Sequence, residues 1–174
     1  MPTIMCTKNL WRAIGGRATT LPARVPAETR GTRLGAWSIR ELPTRVGLLA
    51  VGLEESTYLT VVCPVLTLPE FLLVFAASVE TALTDLSVPT RESEIEAHAI
   101  VRAARFAKNN SRSLLGSVND VAFHVSVRLE DEAQITMAVL RKTQRELNGM
   151  PHVNRKPAFP DQAIRLLFGE ASSA

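Results

Sequence analysis

Between Thr67 and Leu86 apolar residues recur at helical spacing: Leu68, Phe71, Leu72, Phe75, Val79, Ala82, Leu83 and Leu86. The pattern Thr67-Leu68-Pro69-Glu70 ahead of them is a capping box with proline in the first turn. A helix with so wide an apolar face has to be covered by other elements. Its longest apolar run, Phe71 to Val79, is too short to span a bilayer, so the cover is expected from the chain's own core and no membrane partner is expected. With 174 residues, 46% of them apolar, one globular domain over 1–174 is the expectation. The first residues, Met1 to Lys8, show no basic leader followed by an apolar stretch, so a cytoplasmic location is expected.

Around that helix the pattern alternates between strands and further helices. Thr3 to Thr7 predicts a strand, and Lys8 to Ile14 a short helix with Thr7 as its N-cap. Residues 15–35 are rich in Arg, Thr, Pro and Gly and predict a long loop, while 170–174 predict a short flexible tail. Trp37–Leu42, Val46–Leu53 and Thr57–Cys63 predict an antiparallel meander, with Glu54-Glu55-Ser56 as its last tight connection. An acidic helix opens at Pro89-Thr90, and Ala99–Phe106 predicts a strand, although its alanines suit a helix too. Leu114–Leu129, Ala133–Leu147 and Asp161–Phe168 predict three more helices. The implied class is α+β: a small, mainly antiparallel sheet packed against about five helices.

Charge is unevenly distributed. Residues 1–50 hold eight Lys and Arg against two Glu, residues 51–100 one Arg against eight acids, and residues 101–174 eleven bases against seven acids, a pattern that favours an anionic partner more than the net +3 does. Arg outnumbers Lys sixteen to four, and Arg is the better fork for phosphate or carboxylate, although a GC-rich coding bias produces the same excess. The two cysteines, Cys6 and Cys63, sit in strand-like apolar segments and predict buried thiols. Three scattered histidines and two cysteines make no metal-binding pattern, no phosphate-loop or dinucleotide motif occurs, and no cofactor is expected.

The densest polar cluster runs from Lys108 through Asn109, Asn110, Ser111, Arg112 and Ser113 into the Leu114 helix. At a strand-to-helix junction the free N–H groups and the positive helix end bind anions, and Thr7 and Lys8 form a second junction of the same kind. The anion-binding candidates are therefore Thr7, Lys8, Lys108, Asn110, Ser111, Arg112, Ser113 and Gly116, the serines serving equally well as plain helix caps. If the strands before Lys8 and Arg112 run side by side in one direction, both junctions face one sheet edge. Further along the helix, Ser113, Ser117, Asp120 and His124 share a polar flank. Asp120 and His124 are spaced for a hydrogen bond, a spacing that more often means a solvated face. Asp120, His124 and Asn119 are the catalytic candidates, but one straight helix does not make a serine-hydrolase triad.

Four segments, in order along nearly the whole chain, resemble the prokaryotic domain-of-unknown-function family numbered 6933. Ile4-Met5-Cys6-Thr7-Lys8-Asn9-Leu10 is similar to its I-x-C-T-K-K-L, and Leu34-Gly35-Ala36-Trp37 to its L-G-D-W. Asn110 to Asp120 resembles N-N-R-S-V-L-G-S-M-N-D with a serine inserted before Arg112, and Leu147-Asn148-Gly149-Met150-Pro151 resembles L-N-R-T-P. Asn9, Ala36 and Gly149 depart from the pattern, whereas Arg112, Asn119 and Asp120 keep it. The resemblance implies a prokaryotic single-domain protein and no activity. The expected function is a binding module taking a phosphate-bearing ligand or nucleic acid at the junctions. The alternatives are a phosphodiesterase or ribonuclease-like enzyme, and a protein-interaction subunit of a mobile-element or toxin–antitoxin-like system using the acidic 80–96 segment and the 15–35 loop.

Overall fold

A computed structural model describes residues 2–17, 32–152 and 156–169. The chain runs β1 (Thr3–Cys6), α1 (Lys8–Ala13), β2 (Ala36–Thr44), β3 (Gly47–Glu54), β4 (Thr60–Pro64), α2 (Leu68–Asp85), α3 (Thr90–Ala103), β5 (Arg105–Lys108), α4 (Arg112–Glu130), α5 (Met137–Asn148) and α6 (Pro160–Gly169). The five strands form one sheet in the order β4-β3-β2-β1-β5. The antiparallel ladders β2–β3 and β3–β4 hold eight and five residue pairs, against four in each parallel ladder of β1, so most of the paired length is antiparallel. The fold is α+β, with the expected meander intact and β1 set between β2 and β5.

Side chains of a strand alternate between faces, and here both faces are covered. On one side Ile4 and Cys6 of β1, Trp37 and Ile39 of β2 and Val61 and Cys63 of β4 pack against α1, α2, α3 and α6. Phe75 of α2 lies at the centre, edge-on to Trp37 with centroids 5.1 Å apart and stacked on Phe71 at 5.8 Å. Gly52 of β3 makes room for it, because a Cβ there would come within 3.0 Å of the Phe75 ring. On the other side Leu49, Val51 and Leu53 of β3 meet Val118, Val121 and Val125 of α4 and Leu140 and Leu147 of α5.

The outer edge of β4 is closed by side chains. Asn148 accepts from the Thr60 N–H at 2.7 Å and donates to the Thr60 carbonyl at 3.0 Å, as a neighbouring strand would. One helical turn earlier, Gln144 accepts from the Val62 N–H at 3.1 Å. Both side chains are buried, so these pairings answer backbone groups that water does not reach.

Several boundaries move. The strand expected over Ala99–Phe106 is instead the last turn of α3 followed by β5. Ile100 falls on the buried stripe with Ser93, Glu96 and Ala97, and this keeps the alanine-rich stretch helical until the chain extends at Ala104. The helix expected from Ala133 begins at Met137, because the Thr136 hydroxyl caps it by accepting from the Val139 N–H. There are six helices among the described residues rather than about five. Most of the expected 15–35 loop, residues 18–31, and the expected tail at 170–174 lie outside the described residues. No helix among the described residues is long and apolar enough to cross a membrane.

Replacing Asn148 by Ala strands the Thr60 N–H and carbonyl, and a loss of about 1–3 kcal/mol in urea unfolding is expected, with faster hydrogen exchange at Thr60. Cys6 and Cys63 are both free and buried, and burial pushes each thiol up to about 12. A raised thiol keeps its proton across the neutral range, so the native protein is expected to resist a thiol-specific reagent at pH 8. Both cysteines should then react at once on denaturation, and rapid labelling of the native chain would contradict the burial.

Candidate functional site

The α4 helix is held by its first residues. Ser111 caps it, its hydroxyl accepting from the Leu114 N–H at 3.3 Å. Asn109, buried just ahead, ties the turn down: its N–H donates to the Cys6 carbonyl at 3.2 Å, its side-chain amide donates to the Ser38 hydroxyl, and its side-chain carbonyl accepts from the Ser111 N–H at 3.2 Å. One asparagine thereby joins β5, β1, β2 and α4. The equivalent turn after β1 is capped by Thr7, whose hydroxyl accepts from the Leu10 N–H at 3.1 Å.

Strands β1 and β5 are parallel neighbours, with Cys6 level with Lys108. The helices that follow them leave on opposite faces, α1 toward the Phe75 side and α4 toward the Val51 side. Adjacent parallel strands with diverging helices open a crevice at their carboxyl ends, the usual place for a ligand in such sheets. Lys8, Lys108 and Arg112 all stand at that end, exposed and without a hydrogen bond or ion pair among the described residues.

The structure separates the remaining anion candidates. At the start of α1, Glu41 of β2 takes the anion position itself: Thr7 donates its hydroxyl to Glu41, and Asn9 donates to the same carboxylate at 3.2 Å. Thr7 is therefore occupied within the chain, and Asn9 spends its amide on the same carboxylate. Asn110 and Ser113 are exposed at the start of α4, Ser111 acts as the cap, and Gly116 faces open space, where an added Cβ would meet nothing within 4 Å. Asn119 points toward β2, where Arg40 donates to its side-chain oxygen.

Asp120 and His124 lie on the other flank of α4. With Ser113 and Ser117 they line a cleft of about 280 Å3, faced by Tyr58 and by the segment after α5 that carries Met150, Pro151 and His152. Sequence periodicity places these four α4 residues together correctly, but neither Asn119 nor Arg112 lines the cleft. No hydrogen bond joins Asp120 to His124 among the described residues. Tyr58 and Ser117 pair through their hydroxyls at 3.2 Å, and the Tyr58 ring meets His152 edge-on at 4.8 Å.

Nothing in the strand-like pattern Thr57–Cys63 marks Tyr58 as special, yet its φ of 61° puts it in the left-handed region that a bulky residue rarely adopts. Glu54 holds it there. That buried carboxylate accepts from the N–H and hydroxyl groups of both Ser56 and Thr57, while the Glu54 carbonyl accepts from the Tyr58 N–H at 2.9 Å. The tight connection expected at Glu54–Ser56 is thus a longer turn wrapped round an acid, and the one sequence signal for it is an acid followed closely by Ser-Thr. Glu54 also reaches the Gly35 N–H at 3.0 Å, and Glu96 of α3 takes the N–H groups of Arg33 and Leu34 at 2.6 and 3.4 Å. Burial pushes the Glu96 carboxyl above its ordinary range, with these amides pulling the other way.

The acidic 80–96 stretch is turned largely onto the chain itself. Arg141 grips Asp85 at 3.0 and 2.5 Å, and this holds the Asp85 carboxyl below its ordinary range. Glu92 pairs with Arg33 at 3.4 Å, and Glu96 is buried. Among the described residues no three His, Cys, Asp or Glu side chains come together to hold a metal ion.

The family model for Domain of unknown function (DUF6933) matches residues 3–163. The chain belongs to the DUF6933 family. No curated protein and no solved structure matches it. In this DUF6933 chain the asparagine that closes the β4 edge, Asn148, lies within the matched residues.

Gly116 is an interior position of α4 that no contact among the described residues reserves for glycine. Gly116→Ala is expected to raise stability by about 0.5–1 kcal/mol, read as a higher thermal midpoint. A lower midpoint would mean that the added methyl meets something in the folded chain.

Proposed function

We propose that this DUF6933 protein is a binding module for a phosphate-bearing ligand, a nucleic acid or a nucleotide, taken up in the crevice between the carboxyl ends of β1 and β5. The observation that carries the proposal is the parallel pairing of these strands with α1 and α4 departing on opposite faces. Such a crevice collects helix-end dipoles and free N–H groups, which favour negative charge. Support also comes from Lys8, Lys108 and Arg112, whose charges are not consumed by any acid among the described residues. Glu41 fills the α1 end, so the phosphate is placed against the first turn of α4, near Arg112 and Ser113.

The hydrolytic alternative needs Arg112 beside Asp120 or His124 to stabilise charge in the transition state. Arg112 does not line the cleft that those two share, and this favours binding over catalysis.

Retention on heparin, RNA and DNA, measured against salt for the parent chain, Arg112→Ala and Lys8→Ala, tests the proposal. Each variant is expected to bind more weakly and to lower the slope of log affinity against log salt by about one. Unchanged slopes in both variants, or no retention of the parent at low salt, would remove the phosphate crevice.

A further inference from the structure

The cleft on the far flank of α4 contains polar groups that the fold leaves unanswered. The Asp120 carboxylate and the His124 imidazole make no hydrogen bond or ion pair with any described residue, although both line the same space of about 280 Å3. Tyr58 faces them, and its hydroxyl pairs with that of Ser117 on α4 at 3.2 Å, so this contact across the cleft is already made. Among the described residues no Lys or Arg lines the cleft, and Asp120 is its one carboxylate. An anion entering here would meet a carboxylate and no Lys or Arg among the described residues. The cleft therefore differs in chemistry from the phosphate crevice.

Two further features narrow the ligand. The cleft walls include flat or soft apolar groups: the Tyr58 and His152 rings, set edge-on at 4.8 Å, together with Met150 and Pro151. They suit a thin, planar molecule. The Tyr58 backbone is also held in the left-handed region at φ 61°, a conformation strained for so bulky a residue. The Glu54 network that enforces it sets the phenol at the cleft wall.

We propose that the cleft binds a planar ligand carrying two adjacent N–H donors, a guanine base or a guanidinium group, with Asp120 accepting both. A carboxylate receives two parallel N–H bonds in one plane, which gives direction as well as strength. His124, one helical turn along, stands beside the bound edge, and Tyr58, tied to Ser117 of α4, forms the facing wall. The site does not depend on the phosphate crevice, because Arg112 is outside it.

Titration of the full chain with guanosine and with agmatine, followed by thermal midpoint and by protein NMR shifts, tests the site. Uridine, which lacks the adjacent donor pair, serves as the control. Guanosine, agmatine or both are expected to raise the midpoint and to shift resonances of α4 and of residues 150–152, with uridine inert. Whichever compound acts identifies the source of the donor pair. Asp120→Asn, at an exposed position, is expected to keep the ligand-free midpoint and to lose about tenfold in affinity, while Arg112→Ala binds as the parent does. No response to either compound at millimolar concentration overturns the site, as does an Asp120→Asn variant that binds like the parent. Loss of heparin retention in Arg112→Ala, with guanosine or agmatine binding unchanged, separates this site from the phosphate crevice.

Discussion

The open edge of β4 is the constraint on which the functional half of the molecule rests. An edge strand presents N–H and carbonyl groups that must be paired, hydrated or covered. Here Asn148 and Gln144 act in place of a sixth strand, and they do so from a helix. Because a side-chain amide bonds a strand only at short range, this pairing fixes the distance and rotation of α5 against the sheet. The chain leaving α5 then has little choice of path, and Met150, Pro151 and His152 come to stand opposite α4. Arg128 of α4 reinforces that placement, bonding Glu146 of α5 at 3.2 Å and reaching the Met150 sulfur at 3.0 Å.

On the other side of α4 the determining fact is the place of β1. It enters the sheet in parallel between β2 of the meander and β5, so three strands run in one direction, with β1 and β5 finishing together at Cys6 and Lys108 and β2 running on to Thr44. The helices after β1 and β5 then diverge, because Leu10 packs toward Phe75 while Val118 and Val121 pack toward Val51. One helix thereby serves two regions of opposite character. Its first turn, with Arg112, belongs to a basic crevice, and its polar flank, with Asp120 and His124, belongs to a cleft that no described Lys or Arg lines. One acid, Glu41, stands at the α1 end of the crevice on Thr7 and Asn9, while Asp85 and Glu92 are in ion pairs and Glu54 and Glu96 are buried on backbone amides.

Much of the secondary structure was legible from spacing. The α2 stripe, the α4 stripe and the caps at Thr7 and Ser111 follow from local chemistry, since a helix shows its buried face every third or fourth residue. Boundaries shifted where a local signal competed with a tertiary one. Ile100 prolonged α3 because its position lay on a face that the core covers, and Thr136 delayed α5 because its hydroxyl answers an end amide. Of the cleft, the four α4 residues were legible for the same periodic reason. Tyr58 and His152 were not, since a left-handed tyrosine looks like any strand aromatic and a histidine near a helix end carries no spacing to read.

The sequence by itself determined which residues share a helix face, the starts of α1 and α2, that the thiols are buried and that the bases gather at the two ends of the chain. These depend on neighbours a few residues apart, whose chemistry is written in order. Only the tertiary structure decided that β1 and β5 lie side by side, that Glu41 fills one helix end while the other stays open, and that Asn148 completes the sheet. Those outcomes join residues tens of positions apart, and they are settled by which packing buries both apolar faces of the sheet while leaving few polar groups unanswered.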